Sequence, residues 1–381
     1  MQRHMVLAGL CLAVFLVMVG MGMAVVALPQ AYLRASGTLG SSGWLASFFA
    51  LSYMAFQYPA GRLADRWGYR PVLAAGCLLM ALAAVVFSLA QTPAGLYLGR
   101  FIQGAGEAPV WASAPAFLGR LHPNGKGRAM GLYNAAFHVG LMLGPLAGAR
   151  LTPDGGSLPF LAFACLSLAA MVLVLFTVRD SLVRNTGEEA CREKPDARLL
   201  RGLWPLACGL PLFGAAYGLL VSCLPVRMAV EAGFSQARLG LFFFAGYAGI
   251  ALGQALVGPL SDRFGRSRFM ALGLAAAAGG LVWAVRGTTL LVLPGVGLMG
   301  LGLGSFAVAS LAFVNDACPA GRAGATSGLY YLAWGAGYFA GPLLANTVGL
   351  GIGGGSLACA CLAAAGLIAL HRAVRFRPGK A

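Results

Sequence analysis

The stretch Gly61-Arg62-Leu63-Ala64-Asp65-Arg66-Trp67-Gly68-Tyr69-Arg70 is charged, bounded by glycines and set between two long apolar runs. It reads as a short turn, and it occurs twice. Its copy, Gly258-Pro259-Leu260-Ser261-Asp262-Arg263-Phe264-Gly265-Arg266-Ser267, begins 197 residues later. The same displacement relates Gly131-Leu132-Tyr133 to Gly328-Leu329-Tyr330, and Gly140 with Gly144-Pro145 to Gly337 with Gly341-Pro342. Several signals in register at one spacing make the chain a tandem of two homologous halves.

Around these turns the sequence is apolar. Hydrophobic residues make up 59% and charged residues 10% of 381, against roughly 45–50% and 25% in soluble domains. Twelve runs are long enough to cross a bilayer, at roughly 20 residues per helix. They lie near 5–28, 44–60, 71–90, 94–118, 129–151 and 158–178, then 203–225, 237–257, 269–285, 289–313, 325–348 and 352–370. Helices follow, because unpaired backbone groups cannot face lipid. The expected class is an all-α polytopic membrane protein of twelve spans, with residues 1–178 and 203–381 as two pseudo-symmetric bundles joined by a polar linker, 179–202.

A net charge of +16 would suggest nucleic acid in a soluble protein. Here the placement of the charges excludes that partner. With the N-terminus in the cytoplasm, 21 of the 27 basic residues fall in cytoplasmic segments, five fall outside and Arg100 sits within a span. This is the positive-inside pattern, and it puts both termini in the cytoplasm of a multi-pass inner-membrane protein whose surroundings are the lipid bilayer. The nine cysteines lie in apolar runs or cytoplasmic loops and read as small hydrophobes. A monomer needing no cofactor and no metal is expected. Gly349-Leu350-Gly351-Ile352-Gly353-Gly354 matches a dinucleotide pattern without the strand and the later acid that would give it meaning. Enzyme signatures and nucleotide-binding loops are otherwise missing from the sequence.

Gly-x-Leu-Ala/Ser-Asp-Arg-x-Gly at the second-to-third span junction of each half resembles the signature cytoplasmic loop of the major facilitator superfamily. The resemblance covers essentially the whole chain. It implies two helical bundles that alternate access to a central site, with Asp65, Arg66 and Arg70, and their counterparts Asp262 and Arg263, locking the cytoplasmic side in one state. The alternative is that these charges only hold the loop at the water interface. Tyr69 stands where the family usually has a basic residue, so the first lock is expected to be thinner in charge. Gly140-xxx-Gly144-Pro145-xx-Gly148 resembles a fifth-span pattern associated with proton antiporters of that superfamily, with Ala149 in place of a further Gly. Such small-residue stripes also let helices pack closely, and Pro145 should bend the span.

The fourth span, Gly99-Arg100-Phe101-Ile102-Gln103-Gly104-Ala105-Gly106-Glu107-Ala108-Pro109, holds the clear buried charges. An ionisable group inside a span is a functional candidate by default. Arg100-xx-Gln103-Gly104 resembles a motif whose Arg is linked to proton coupling in family exporters. Arg100 and Glu107 share a helix face about 10 Å apart along the axis, too far for a direct ion pair. Glu107 falls near the midplane, where Pro109 frees the carbonyl of Ala105, and His138 and Asn134 of the fifth span sit at similar depth. Glu107, with His138 and under the bias of Arg100, is the candidate for taking up and releasing a coupling proton. Gln103 and Asn134 join Glu107 as candidate cargo contacts, and the second half offers aromatics: Tyr217, Tyr331 and Trp334, with Tyr338 on the same face as the last two. The same residues also admit a packing role for His138, a bracing role for Arg100 and a cation-binding role for Glu107. The expected function is proton-coupled efflux of a small organic molecule by antiport. Uptake of a metabolite with Arg100 holding an anion, or a non-transporting membrane sensor, are the alternatives.

Overall fold

The computed structural model describes residues 2–37, 43–151, 156–183, 197–224, 228, 234, 236–286, 291–317 and 323–347. Eleven long helices lie among them: α1 (Gln2–Ser36), α2 (Gly43–Trp67), α3 (Tyr69–Leu89), α4 (Pro93–Leu121), α5 (Lys126–Leu151), α6 (Leu158–Thr177), α7 (Ala197–Gly218), α8 (Gln236–Phe264), α9 (Arg266–Arg286), α10 (Val292–Ala317) and α11 (Ala323–Thr347). The twelfth expected span and the Gly349–Gly354 glycines lie outside the described residues. Several helices outrun their apolar spans. α1 continues past 28 to Ser36, and α7 begins at Ala197, within the stretch expected as linker. A helix satisfies its own backbone on either side of the bilayer surface, so its hydrogen bonds continue where the apolar run stops.

The α2 helix likewise runs on into the first copy of the repeated stretch. Gly61 to Trp67 are not a turn; they form the last two turns of α2, and Gly258 to Phe264 likewise end α8. The chain turns at a single residue in each copy, Gly68 (φ 99°) and Gly265 (φ 96°). Their amides donate back to the carbonyls of Ala64 (3.0 Å) and Ser261 (3.1 Å). A positive φ of this kind is easily reached only without a Cβ, which is why the repeat keeps glycine there.

Six described helices, α1, α3, α6, α8, α9 and α10, are long and apolar enough to cross a membrane by length and composition. The candidate residues within the membrane lie on helices outside that group, namely α4, α5, α7 and α11. Polar side chains are tolerated in a span where protein, not lipid, surrounds them. Accordingly Gln103, Glu107, Asn134 and His138 are all buried.

The chain forms two compact units. The first comprises Met1–Pro123, Ala136–Arg192 and Cys318–Leu332. Within it α4 packs on α2 and α3, and α6 packs on α1 and α3. The second comprises Asn124–Ala135, Glu193–Ala317 and Ala333–Ala381. Within it α10 packs on α8 and α9 in the same pattern, displaced by one repeat. Each unit thus takes a helix segment from the other half of the sequence.

The glycine stripes mark where backbones touch. A Cβ on Gly144 would come 2.5 Å from the carbonyl oxygen of Val19 and 2.7 Å from the Cα of Gly22 on α1. One on Gly140 would meet the carbonyl of Phe15 at 2.7 Å. In the second unit Gly337 of α11 abuts the backbone of Pro211 on α7 in the same manner. Close approach of this kind gives dispersion contact where lipid removes the hydrophobic drive between helices.

Candidate functional site

α4 starts at Pro93, capped by Thr92, whose hydroxyl accepts from Gly95 N at 3.4 Å. Proline at the first helical position loses nothing, since its missing N–H would be an orphan there. Gly104 and Gly106 then bring α4 against its neighbours. A side chain on Gly104 would strike the carbonyl of Phe49 on α2, and one on Gly106 would come 2.9 Å from Met80 N on α3. This fixes the helix face, and Glu107, next to Gly106, is only 4% exposed.

Trp111, one turn on, donates its indole N–H to Glu107 Oε1 at 2.9 Å. The indole packs against Phe137 of α5, with ring centroids 4.4 Å apart, and Tyr331 of α11 at 4.8 Å. Glu107 Oε2 is buried with no hydrogen-bond partner among the described residues. His138 is buried beside Phe137, ring against ring. Arg100 belongs to a separate arrangement on the same helix. Its Nη1 donates to Gln103 Oε1 (2.8 Å), its Nε to the Leu45 carbonyl (3.0 Å), and its guanidinium lies 4.4 Å from the Phe49 ring centre. Arg100 therefore braces α2 through a carbonyl and an aromatic face.

In the second unit Tyr217 of α7 packs on Trp334 (5.6 Å) and Tyr338 (6.1 Å) of α11, and the last two stack at 5.2 Å. A π-helical turn, Leu219–Cys223, begins two residues after Tyr217. Asn134 is buried on α5, in the part assigned to this unit.

At the helix ends the two copies of the repeated stretch cap helices of the opposite half. Asp65 accepts from Gly324 N (2.9 Å) and Ala325 N (2.8 Å) at the start of α11. Asp262 accepts from Gly127 N and Arg128 N, both 2.9 Å, at the start of α5. A carboxylate here satisfies orphan amides and meets the positive end of the helix dipole. The repeat relates the two backbone contacts to each other: Gly61 abuts Gly324, and their counterparts Gly258 and Gly127 abut likewise, with Gly131 also against Gly258.

The two caps differ in what supports the carboxylate. The Tyr69 hydroxyl donates to Asp65 at 3.2 Å, and Arg120 sits 3.6 Å from the carboxylate with its guanidinium over the Tyr69 ring. Burial pushes the Asp65 carboxyl above its usual range, opposed in turn by the amides of Ala325 and Gly324, by Arg120 and by Tyr69. At the position repeating Tyr69, Arg266 pairs with Asp262 and also with Asp316 (3.0 Å), which in turn holds Lys126 at 2.9 Å. A third carboxylate, Asp180 after α6, accepts from Tyr69 N at 2.8 Å and caps α3. Arg66, Arg70 and Arg263 are exposed.

The Major Facilitator Superfamily model matches residues 10–227 and 206–381. The chain belongs to the major facilitator superfamily. Transport is what the family stands for, and this member is a multi-pass membrane protein. It is 30% identical over 289 residues to the class C tetracycline resistance protein of Escherichia coli, covering 71% of each chain. To the class G tetracycline resistance protein of Vibrio anguillarum it is 29% identical over 278 residues, 69% of this chain and 70% of the relative. The human organic anion transporter MFSD10 shares the fold, with a TM-score of 0.84 at 16% identity, covering 97% of this chain and 99% of that one.

In this superfamily member the sequence-derived candidates thus fall into separate contact groups: Glu107 with Tyr331 by way of Trp111, Arg100 with Gln103, and Tyr217 with Trp334. Residues not anticipated complete them. Trp111 lies one helical turn from Glu107, so its spacing was a signal for contact. Arg120, Asp180 and Asp316 are remote in sequence from the carboxylate or helix each one meets, and no local pattern marks them.

Proposed function

We propose that this superfamily member is a proton-coupled exporter of small organic molecules, exchanging cargo for protons across the cytoplasmic membrane with both termini inside. The observation that carries this reading is Glu107: a carboxyl group within a membrane helix, buried, held on one oxygen by Trp111 and left open on the other. Leaving an acid there costs about 2.5 kcal/mol or more on insertion scales, and gain and loss of a proton is a use that repays it. Relatives named for tetracycline resistance support export of an amphipathic cargo. Arg100 is engaged by Leu45 and Gln103, which favours a bracing role over anion binding. His138 stands beside Phe137 as a second candidate on the proton route, and the Asp65 and Asp262 caps are the candidate locks of alternating access.

The test is flux in proteoliposomes across a panel of amphipathic and cationic dyes and antibiotics, including tetracycline. Cargo movement against an imposed proton gradient, lost in Glu107→Gln while cargo counterflow persists, is expected. Counterflow that ignores the gradient in both proteins would leave Glu107 as a cargo contact and remove antiport.

A further inference from the structure

Trp111 is the side chain on which three helices meet at Glu107. Its indole N–H reaches the carboxylate on its own helix, and its ring touches Phe137 of α5 and Tyr331 of α11. Tyr331 lies six residues beyond Ala325, whose amide Asp65 caps, or about 9 Å along α11 at 1.5 Å per residue. An indole nitrogen is a donor only. It binds an ionised carboxylate roughly twice as strongly as a neutral acid, so the seat of the Trp111 ring depends on the charge it faces. Tyr331 borders a second ring, Tyr330, at 5.0 Å, so a change in the tilt of Trp111 meets packed aromatics.

We infer that Trp111 is a positioning residue: it orients the Glu107 carboxylate and transmits its charge state to α11 through the face of Tyr331. This rests on the reading of Glu107 as the titrating group. Arg100 on α4 and Tyr53 on α2 interact electrostatically with Glu107, while His138 on α5 lies against Phe137, and Tyr331 on α11 lies against Trp111 and Tyr330. Glu107→Gln removes the acid and keeps all of these groups, so it separates their titration from that of Glu107.

Two cargo-free measurements on the full-length protein in nanodiscs test the inference: tryptophan emission against pH, and the unfolding midpoint against pH, for wild type, Trp111→Phe and Glu107→Gln. A pH-dependent component of emission is expected in wild type and absent from both variants. Phenylalanine keeps an aromatic ring between Phe137 and Tyr331 but lacks the donor. In Trp111→Phe the pH midpoint of the stability profile should therefore move upward by about one unit, equivalent to about tenfold in proton affinity. In Glu107→Gln that step should vanish, leaving the separate pH-dependent component of Asp65 at the helix end. An emission component that survives Trp111→Phe, or a stability profile that Trp111→Phe leaves in place, overturns the role and makes the indole packing alone. If the emission component depends on Glu107 while flux ignores the proton gradient, Trp111 still positions the carboxylate, and it is the antiport reading that falls.

Discussion

Removing the Asp65 carboxylate should free the start of α11. In Asp65→Ala the amides of Gly324 and Ala325 lose their acceptor, and the Tyr69 hydroxyl and Arg120 lose theirs. Hydrogen bonds to a charged group contribute about 1.5–3 kcal/mol each, and the burial that raises the Asp65 carboxyl offsets part of the gain. A net cost of about 2–3 kcal/mol follows for the capped conformation, or a population change of about 30- to 150-fold. Hydrogen exchange of the peptide beginning at Ala323 reads it directly, as faster exchange at Gly324 and Ala325 by that factor. Unchanged protection would mean that Asp65 does not hold the start of α11. The pH dependence has a definite sign. Because the group's pKa in the capped state is raised above the ordinary value of 3.8, that state binds its proton more tightly. Its contribution is fully present below the ordinary value and is lost as pH rises through the raised one. Relative to Asp65→Asn, wild type should therefore gain stability as pH falls from neutral.

Gly144→Ala places a methyl against the backbone of Val19 and Gly22, neither of which can swing aside, and should cost about 1–3 kcal/mol. Gly125→Ala, with open space around the added carbon, should cost less in the same thermal unfolding comparison. Asp316→Asn removes partners from both Lys126 and Arg266, yet Asp316 is 43% exposed, so each pair contributes at most about 1 kcal/mol and is screened by salt. Its effect on melting temperature should therefore shrink between low and high ionic strength, whereas that of Asp65→Ala should persist, since the Asp65 side chain is 3% exposed.

The architecture was legible because the bilayer makes apolar length a direct readout of spans, and because Gly68 and Gly265 repeat at one spacing for a backbone reason. Helix ends were less so: hydropathy stops at the membrane surface, whereas the α2 helix runs on to Trp67. Glu107 stood out by the cost of a charge within a span, and its burial agrees. The cap partners were hidden. Nothing near Asp65 in sequence points to Ala325, 260 residues away, and the replacement of a basic residue by Tyr69 gave no sign that Arg120 would supply the missing charge across the same ring.

The exchange of caps between halves has a consequence for synthesis. When Asp262 leaves the ribosome, the amides of Gly127 and Arg128 are already made and waiting. Asp65 has the opposite experience, because its donor amides are translated 259 and 260 residues later. At about 5–20 residues per second this leaves it without them for about 13–52 s. During that interval an acid destined for burial stands at the membrane surface, and a chain truncated before Gly324 would display it permanently, giving membrane quality control a chemical mark of an unfinished molecule.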